Sequence, residues 1–548
     1  MWEHLLDFLL ASITLGIPTA AAAAWLTGRD WCDRFLVVIG AMACTCLVSY
    51  AAFWLWFARP AAGYAWTVAV LLASVAIIWQ RRAPLLAALR DDDVRVPWLL
   101  ALLAGLFYIG LLHLFETPLN VDKLSAMRYM LAMPVDNELP RAFAQRLIFG
   151  NSPRHLYDSW LSSDRPPLQV GVICFAYPIL KWGGAPLLSA AHAIGMWFQL
   201  LWVPAVWALA RRLGFTVRLA AVLCAITVMT SLTMFHSIYL WPKLGGGGLA
   251  VAAYAIYAPA HRRSVPAMMF AAMFGALAWL SHGGTIFSVL ALAAMAVVWP
   301  PWPSLAAVVA AAATFVTLAA PWTAYQKLYD PPGDRLIKWH IGGVVDVDSR
   351  GAVQLIRDQY RAAGVAGTIF NKKANFLTLV GGYDEYTFDM SQPRERRVKE
   401  WYYFFRSFGI WILALPLAPI AWLRRRRAGL ATDVLWTTTA WTFLTLIVWC
   451  LVAFGPPTYT INHAGPFSLH LTMYVVMYAL AWSVSPWIFA TLATVHLVTT
   501  AITWLPTDLE LANFPLSPQA IAVSIVTGLA IAAVVVWQCR APAARPSE

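Results

Sequence analysis

Charge is what this sequence has least of. Asp, Glu, Lys and Arg supply 12% of its 548 residues, about half the share in a soluble domain. That scarcity, together with runs near the ~20 apolar residues needed to cross a bilayer, excludes a soluble globular chain. The runs do not alternate polar and apolar residues, which excludes barrel strands. Every amide in lipid must be bonded internally, so the runs are helices. No nucleotide-binding Gly-rich motif is present: Gly245 to Gly248 follow no strand and carry no Lys-Ser/Thr. That quartet reads as a helix-packing or hinge device. The seven cysteines (Cys32, Cys44, Cys46, Cys174, Cys224, Cys450 and Cys539) lie in or beside apolar runs. This argues against structural disulfides and against a thiolate metal site. No HExxH-like spacing occurs. Met1 to Leu26 lacks the basic start of a signal peptide, having Glu3 and Asp7 instead, and reads as a retained span.

What is present is grease: 60% hydrophobic residues and a mean hydropathy of +0.64. The net charge of +12 sits in short turns between apolar runs, as at Arg424 to Arg427, where it acts as orientation signal. An all-α, polytopic membrane protein with about fifteen transmembrane helices follows. Spans are expected near 4–26, 35–57, 63–80, 97–114, 184–209, 217–236, 243–260, 265–281, 283–299, 304–321, 407–423, 432–454, 466–482, 484–503 and 517–538. Arg29 and Arg34, then Arg81, Arg82, Arg90 and Arg95, put the first and third turns in the cytoplasm. Arg211, Arg212 and Arg218, His261 to Arg263, Arg424 to Arg427, and Arg540 with Arg545 agree. The N-terminus is then outside and the C-terminus inside.

The chain divides into N-terminal helices (1–96), a core (97–321) with a first outer loop (114–183), a second outer loop (322–406) and C-terminal helices (407–548). Both loops are expected to carry interfacial helices. In the first, VDNELPRAFAQRLIFG reads as a short amphipathic helix: Asp136 or Asn137 can cap it, Pro140 suits an early position, and Gly150 ends it. Leu139, Phe143 and Leu147 share one face, and the helix would lie on the membrane surface. The apolar stretch from Val170 to Leu180 is short for a span and reads as a second interfacial or re-entrant helix.

Candidate chemistry gathers in these loops. Asp136 and Glu138 can act as general base or orient an acceptor; equally, they can be a cap and a first-turn acid favoured by the helix dipole. Asp164 and Arg165 stand before two backbone-fixing prolines, which suits positioning of a phosphate or sugar, or simply a rigid helix start with a surface ion pair. Lys243 is costly in hydrocarbon, so it snorkels or binds an anion. Arg335 and Lys338 share a helical face, beside His340; they suit phosphate oxygens or a solvated helix. His282 sits at a tight outer turn, as structural hydrogen-bonder or ligand. Asn462 and His463, near His470, can line an acceptor entrance. Tyr383 to Glu385 read as a turn or an acceptor contact.

A span, then an outer loop with an early acid followed by Ala142 and Gly150, then Asp164-Arg165-Pro166-Pro167-Leu168 before an apolar helix: this order resembles the C-type (GT-C) membrane glycosyltransferases. The likeness is to the branch holding protein O-mannosyltransferases and lipid A aminoarabinose transferases, and its motifs cover roughly 97–212. Asp136 matches the first-loop base of that branch. Asn137 stands where the family commonly pairs Asp with Glu, which sets Glu138 apart. The resemblance implies a sugar donor carried on a polyprenyl phosphate and used on the outer face without nucleotide, with inversion. It implies a bacterial inner membrane with a periplasmic site, buried cations for phosphate, and a glycolipid, polysaccharide or protein acceptor. A divalent ion held by Asp136 and other carboxylates is conceivable and is not predicted; no nucleic acid is expected. The alternative is a polytopic transporter or lipid-linked sugar flippase, although no clear two-fold repeat is seen. A non-catalytic assembly component is a third reading.

Overall fold

The computed structural model describes residues 1–29, 32–129, 137–157, 160–258, 264–379, 406–424, 429–455, 467–504 and 511–540. Among the described residues the protein is all-α and polytopic, apart from a two-stranded antiparallel ribbon, His155–Tyr157 with Trp160–Leu161. The helices of the N-terminal third are α1 (Trp2–Leu26), α2 (Arg34–Ala58), α3 (Pro60–Gln80), α4 (Arg82–Arg90), α5 (Asp92–Leu112), α6 (Val121–Met127), α7 (Leu139–Ile148) and α8 (Pro167–Trp182). The middle holds α9 (Leu187–Gln199), α10 (Trp202–Arg212), α11 (Val217–Val228), α12 (Ser231–Ile238), α13 (Lys243–Tyr257), α14 (Val265–Ser281), α15 (Ile286–Val298) and α16 (Leu305–Ala324). Then come α17 (Arg335–Gly342), α18 (Ala352–Leu379), α19 (Ser407–Arg424), α20 (Thr432–Val452), α21 (Phe467–Val484), α22 (Pro486–Trp504) and α23 (Pro518–Arg540).

Each of the fifteen expected spans falls on helix, but fewer qualify by length. Among the described residues ten helices are long and apolar enough to cross a membrane, or eleven if α11 and α12 count as one span bent by 65°. Hydropathy windows do not see such bends. Here the second half restarts at Thr230, whose hydroxyl accepts from the Thr233 N–H. At fifteen residues, α13 reaches about 22 Å, short of the ~30 Å hydrocarbon core.

The glycine quartet explains how so short a helix sits in the centre. A Cβ on Gly248 would stand 2.7 Å from the Trp202 Cα, and one on Gly247 2.9 Å from the Phe467 backbone. Backbones of α10 and α21 therefore approach α13 closely, as small residues allow in membrane bundles. The quartet packs helices, one of its two expected roles.

Stretch α8, expected as an interfacial or re-entrant helix, does not lie exposed on the surface: its residues from Pro167 to Pro178 are buried against α2, α9 and α7, which leaves the re-entrant reading standing. Nor does Asn137 cap α7. Glu138 occupies the cap position without a side-chain cap bond, and Asn137 Nδ2 donates instead to the Asp122 carbonyl and to Ser125 Oγ. The amphipathic face is as expected, with Leu139, Phe143 and Leu147 buried. Phe143 packs edge-on against Phe53 of α2.

The N-terminal helices are built into the bundle. Asp93, 1% exposed, takes Arg211 at 2.6 Å, Arg34 at 3.1 Å and the Trp207 indole at 3.2 Å. That cluster ties α2, α5 and α10 at one end. All seven cysteines are free thiols.

Candidate functional site

Polar residues of the two long loops meet each other. Asp330, just before α17, accepts from Ser162 Oγ at 2.7 Å and from the Ser163 N–H at 2.9 Å. Gln326 Nε2 donates to the Ser163 carbonyl. Arg335 Nη1 reaches Asp164 Oδ2 at 3.1 Å, with both side chains buried. The first loop is thus stitched to the second immediately ahead of α8, where Pro166 and Pro167 start the helix.

Behind this seam lies a small cavity of about 40 Å³ lined by residues from four segments. Trp160, Asp164, Arg165 and Gln169 come from the first loop and α8. Trp241 and Lys243 come from the start of α13, His282 from the α14 end, and Leu336, Trp339 and His340 from α17. A water needs roughly 10–15 Å³ measured this way, so the space suits a phosphate-sized group rather than a sugar.

Its electrostatics are positive. Arg165 lies 4.4 Å over the Trp160 ring. Lys243 Nζ lies 3.4 Å over Trp241 and is 1% exposed. Indole faces attract such cations by up to about 2 kcal/mol when desolvated. Lys243 also stands at the first position of α13, where the helix dipole already presents positive charge. Burial pushes the His340 imidazole down to about 4, helped by Lys243 and Arg165. Burial raises the Asp164 carboxyl, while Arg335 chiefly opposes the rise.

Five expected site residues therefore line one cavity: Asp164, Arg165, Lys243, His282 and His340. The structural reading of His282 is realised at one ring nitrogen, since Nδ1 accepts from the Gly284 N–H. Arg335 and Lys338 do share α17, but neither lines the cavity. Arg335 braces Asp164, and Lys338, fully buried, pairs with Asp334 at 2.7 Å and donates to the Asp348 carbonyl. Glu138 forms an ion pair with Arg141 at 3.1 Å, and Arg141 also binds Asp122 at 2.8 Å. Burial lifts the Asp122 carboxyl to about 6, with Arg141 opposing. His470 is buried on α21. Asp136, His463 with Asn462, and Tyr383 to Glu385 lie outside the described residues. Among the described residues no cluster of three or more His, Cys, Asp or Glu could hold a metal ion.

Sequence reasoning missed the tryptophans under the cations and the Asp122–Arg141–Glu138 network. An aromatic two residues before a cation, as in Trp241-Pro242-Lys243, was the available signal for Trp241; Trp160 lies five residues before Arg165 and carried none. In the network, Glu138 and Arg141 are three apart, a helical spacing the sequence offered, whereas Asp122 lies nineteen positions from Arg141 and nothing in spacing marks it.

No family model and no curated protein matches the chain. Among solved structures it is similar to the crystal structure of ArnT from Cupriavidus metallidurans bound to undecaprenyl phosphate. The identity is 14% and the TM-score 0.43, over 77% of this chain and 70% of that one.

Proposed function

We propose that this protein is a membrane glycosyltransferase that takes a sugar from a polyprenyl-phosphate carrier and transfers it to an acceptor on the outer face of a bacterial inner membrane. The observation that carries the reading is the cavity itself: Arg165, Lys243 and His340, brought from three segments, surround a phosphate-sized space beside Asp164. It rests on this geometry, not on overall similarity to any solved structure.

In the reaction, an acceptor hydroxyl or amine attacks the anomeric carbon. The bond from that carbon to the phosphate oxygen breaks, the electron pair leaves with the polyprenyl phosphate, and inversion follows. Asp136 takes the acceptor proton. The cations meet the charge that develops on the leaving phosphate, where preorganised groups are most effective. Asp164 orients this wall through Arg335 and Leu161. Arg335 and Lys338 hold α17 in place. No nucleotide is consumed, and no metal step is invoked.

The test is release of polyprenyl phosphate and labelling of acceptor by purified protein supplied with a polyprenyl-phosphate sugar. Asp136→Asn should abolish transfer while leaving carrier binding intact. Transfer by that variant near the wild-type rate would reject Asp136 as the base. Movement of the lipid-linked sugar across proteoliposomes without transfer would replace the reading with that of a flippase.

A further inference from the structure

Helix α18 shows an unusual division of faces. It is bent at Gly364, whose φ of +61° and ψ of −173° leave the helical range, a conformation that glycine adopts without a Cβ clash. Beyond the bend, Val365, Ile369, Phe370 and Phe376 are 79%, 63%, 57% and 47% exposed. With Lys373 among them they form one stripe at helical spacing. Leu355, Ala374, Asn375 and Leu379 are turned inward.

What lies at the level of that stripe is fixed by α20. This helix is 21 residues long and apolar enough to cross a membrane, about 31 Å at 1.5 Å per residue, so its last carbonyls mark the edge of the hydrocarbon core. Those carbonyls are held by α18. Lys372 Nζ donates to the Ala453 carbonyl at 2.6 Å, and Asn375 Nδ2 donates to Ala453 at 2.9 Å and Cys450 at 3.0 Å. Burial brings the Lys372 ammonium down to about 8. Partner numbers fall along α20 as they rise along α18. The second half of α18 therefore runs antiparallel to the last turn of α20 and descends toward the bilayer.

We infer that the stripe from Val365 to Phe376 is a lipid-docking surface seated in the boundary between headgroups and acyl chains, with Lys373 snorkelling to the phosphates. The anchor is connected to the cavity. Leu355 of α18 lies beneath Gly342 of α17. The Phe454 N–H donates to the His340 carbonyl at 2.8 Å, and Tyr360 packs edge-on against the Phe454 ring at 5.1 Å. The bilayer thus supports the wall that carries Trp339 and His340.

Nitroxide labels test this in the full chain, with Cys539→Ser to remove the exposed thiol and unsubstituted protein as background. Val365→Cys, Ile369→Cys and Phe370→Cys are labelled in proteoliposomes and compared with Ile525→Cys on α23 and Gln354→Cys on the first half of α18. The expected result is preferential collision with oxygen over a water-soluble nickel chelate at 365, 369 and 370, as at 525. Collision with the chelate as at 354 would overturn the inference. So would spin–spin broadening that vanishes on dilution with unlabelled protein, because a second copy would then cover the stripe. Three positions are used so that failure of one variant to fold leaves the result readable.

Discussion

Lys243→Met is the sharpest perturbation of the cavity. The side chain keeps its length and apolar stem but loses its charge. Nζ is buried at 3.4 Å over Trp241, in a space that admits a phosphate-sized group. Two unit charges ~4 Å apart at an effective dielectric of ~20 attract by about 4 kcal/mol. That is an upper bound, because phosphate must also shed water; hydrogen bonds to charged groups contribute about 1.5–3 kcal/mol net. At 1.4 kcal/mol per tenfold, affinity for a polyprenyl phosphate should weaken by roughly 10- to 150-fold. The measurement is titration of detergent-solubilised protein with undecaprenyl phosphate, scored by calorimetry. Lys243→Arg, which retains the charge, should stay within a few-fold of wild type. Arg165→Met should weaken binding similarly, and the two losses should be non-additive if both cations contact one phosphate. A change under about threefold in both Met variants, with folding intact, would refute the assignment of this cavity to phosphate.

Three further outcomes are expected. Asp93→Ala leaves Arg211 and Arg34 facing an empty buried position; loss of one partner of a buried pair costs about 3–5 kcal/mol, so thermal inactivation should occur several degrees lower, and an unchanged melting profile would contradict the clamp. Gly248→Ala places a methyl 2.7 Å from the Trp202 backbone and should cost about 1–3 kcal/mol or more through overpacking, whereas Gly16→Ala meets nothing within 4 Å and should be tolerated; equal yields of folded protein would dismiss the packing account of the quartet. Asp122 has a folded value raised to about 6 by burial, above its unfolded value near 4. The folded state therefore holds a proton that the unfolded chain has released between about pH 4 and 6, and this group's contribution to stability falls as pH rises through that window. Asp122→Asn should flatten that part of a stability profile, and an unaltered slope would exclude Asp122 as its source.

Helix positions were legible in the sequence because hydropathy alone dictates them: each expected span falls on helix. Helix length was harder to read: four expected spans, 243–260, 265–281, 283–299 and 484–503, fall on shorter apolar helices, and 217–236 falls on a pair bent near Thr230. Burial of α8 was equally hidden. Its length suggested an interfacial or re-entrant helix, and what buries it is packing against α2, a partner more than a hundred positions away. In the site, Arg165, Lys243, His282 and His340 stood out because a basic group beside apolar runs is costly unless used. Their convergence on one space is a tertiary fact. Lys338 pairs with Asp334, four residues earlier, a pairing the sequence did offer.

Lys338 and Lys243 are both buried cations, held in different settings. Taking a cation out of water costs several kcal/mol. At Lys338 that cost is offset by a carboxylate at 2.7 Å and a carbonyl at 2.7 Å, which is how a structural ion is treated. Lys243 rests on an indole face at the positive end of a helix, and it lines one cavity with Arg165 and with an imidazole that these two cations help keep neutral. Under the proposed function a compact anion occupies this space, and a carrier phosphate has the size and charge to do so. Asp164, held by Arg335, keeps the cationic wall rigid without cancelling it. A phosphate that binds there before the reaction is also the group that leaves in it, so the same three side chains can serve affinity and leaving-group stabilisation. Activity should then fall further than affinity when Lys243 is removed, because the leaving phosphate carries more negative charge than the phosphodiester it came from.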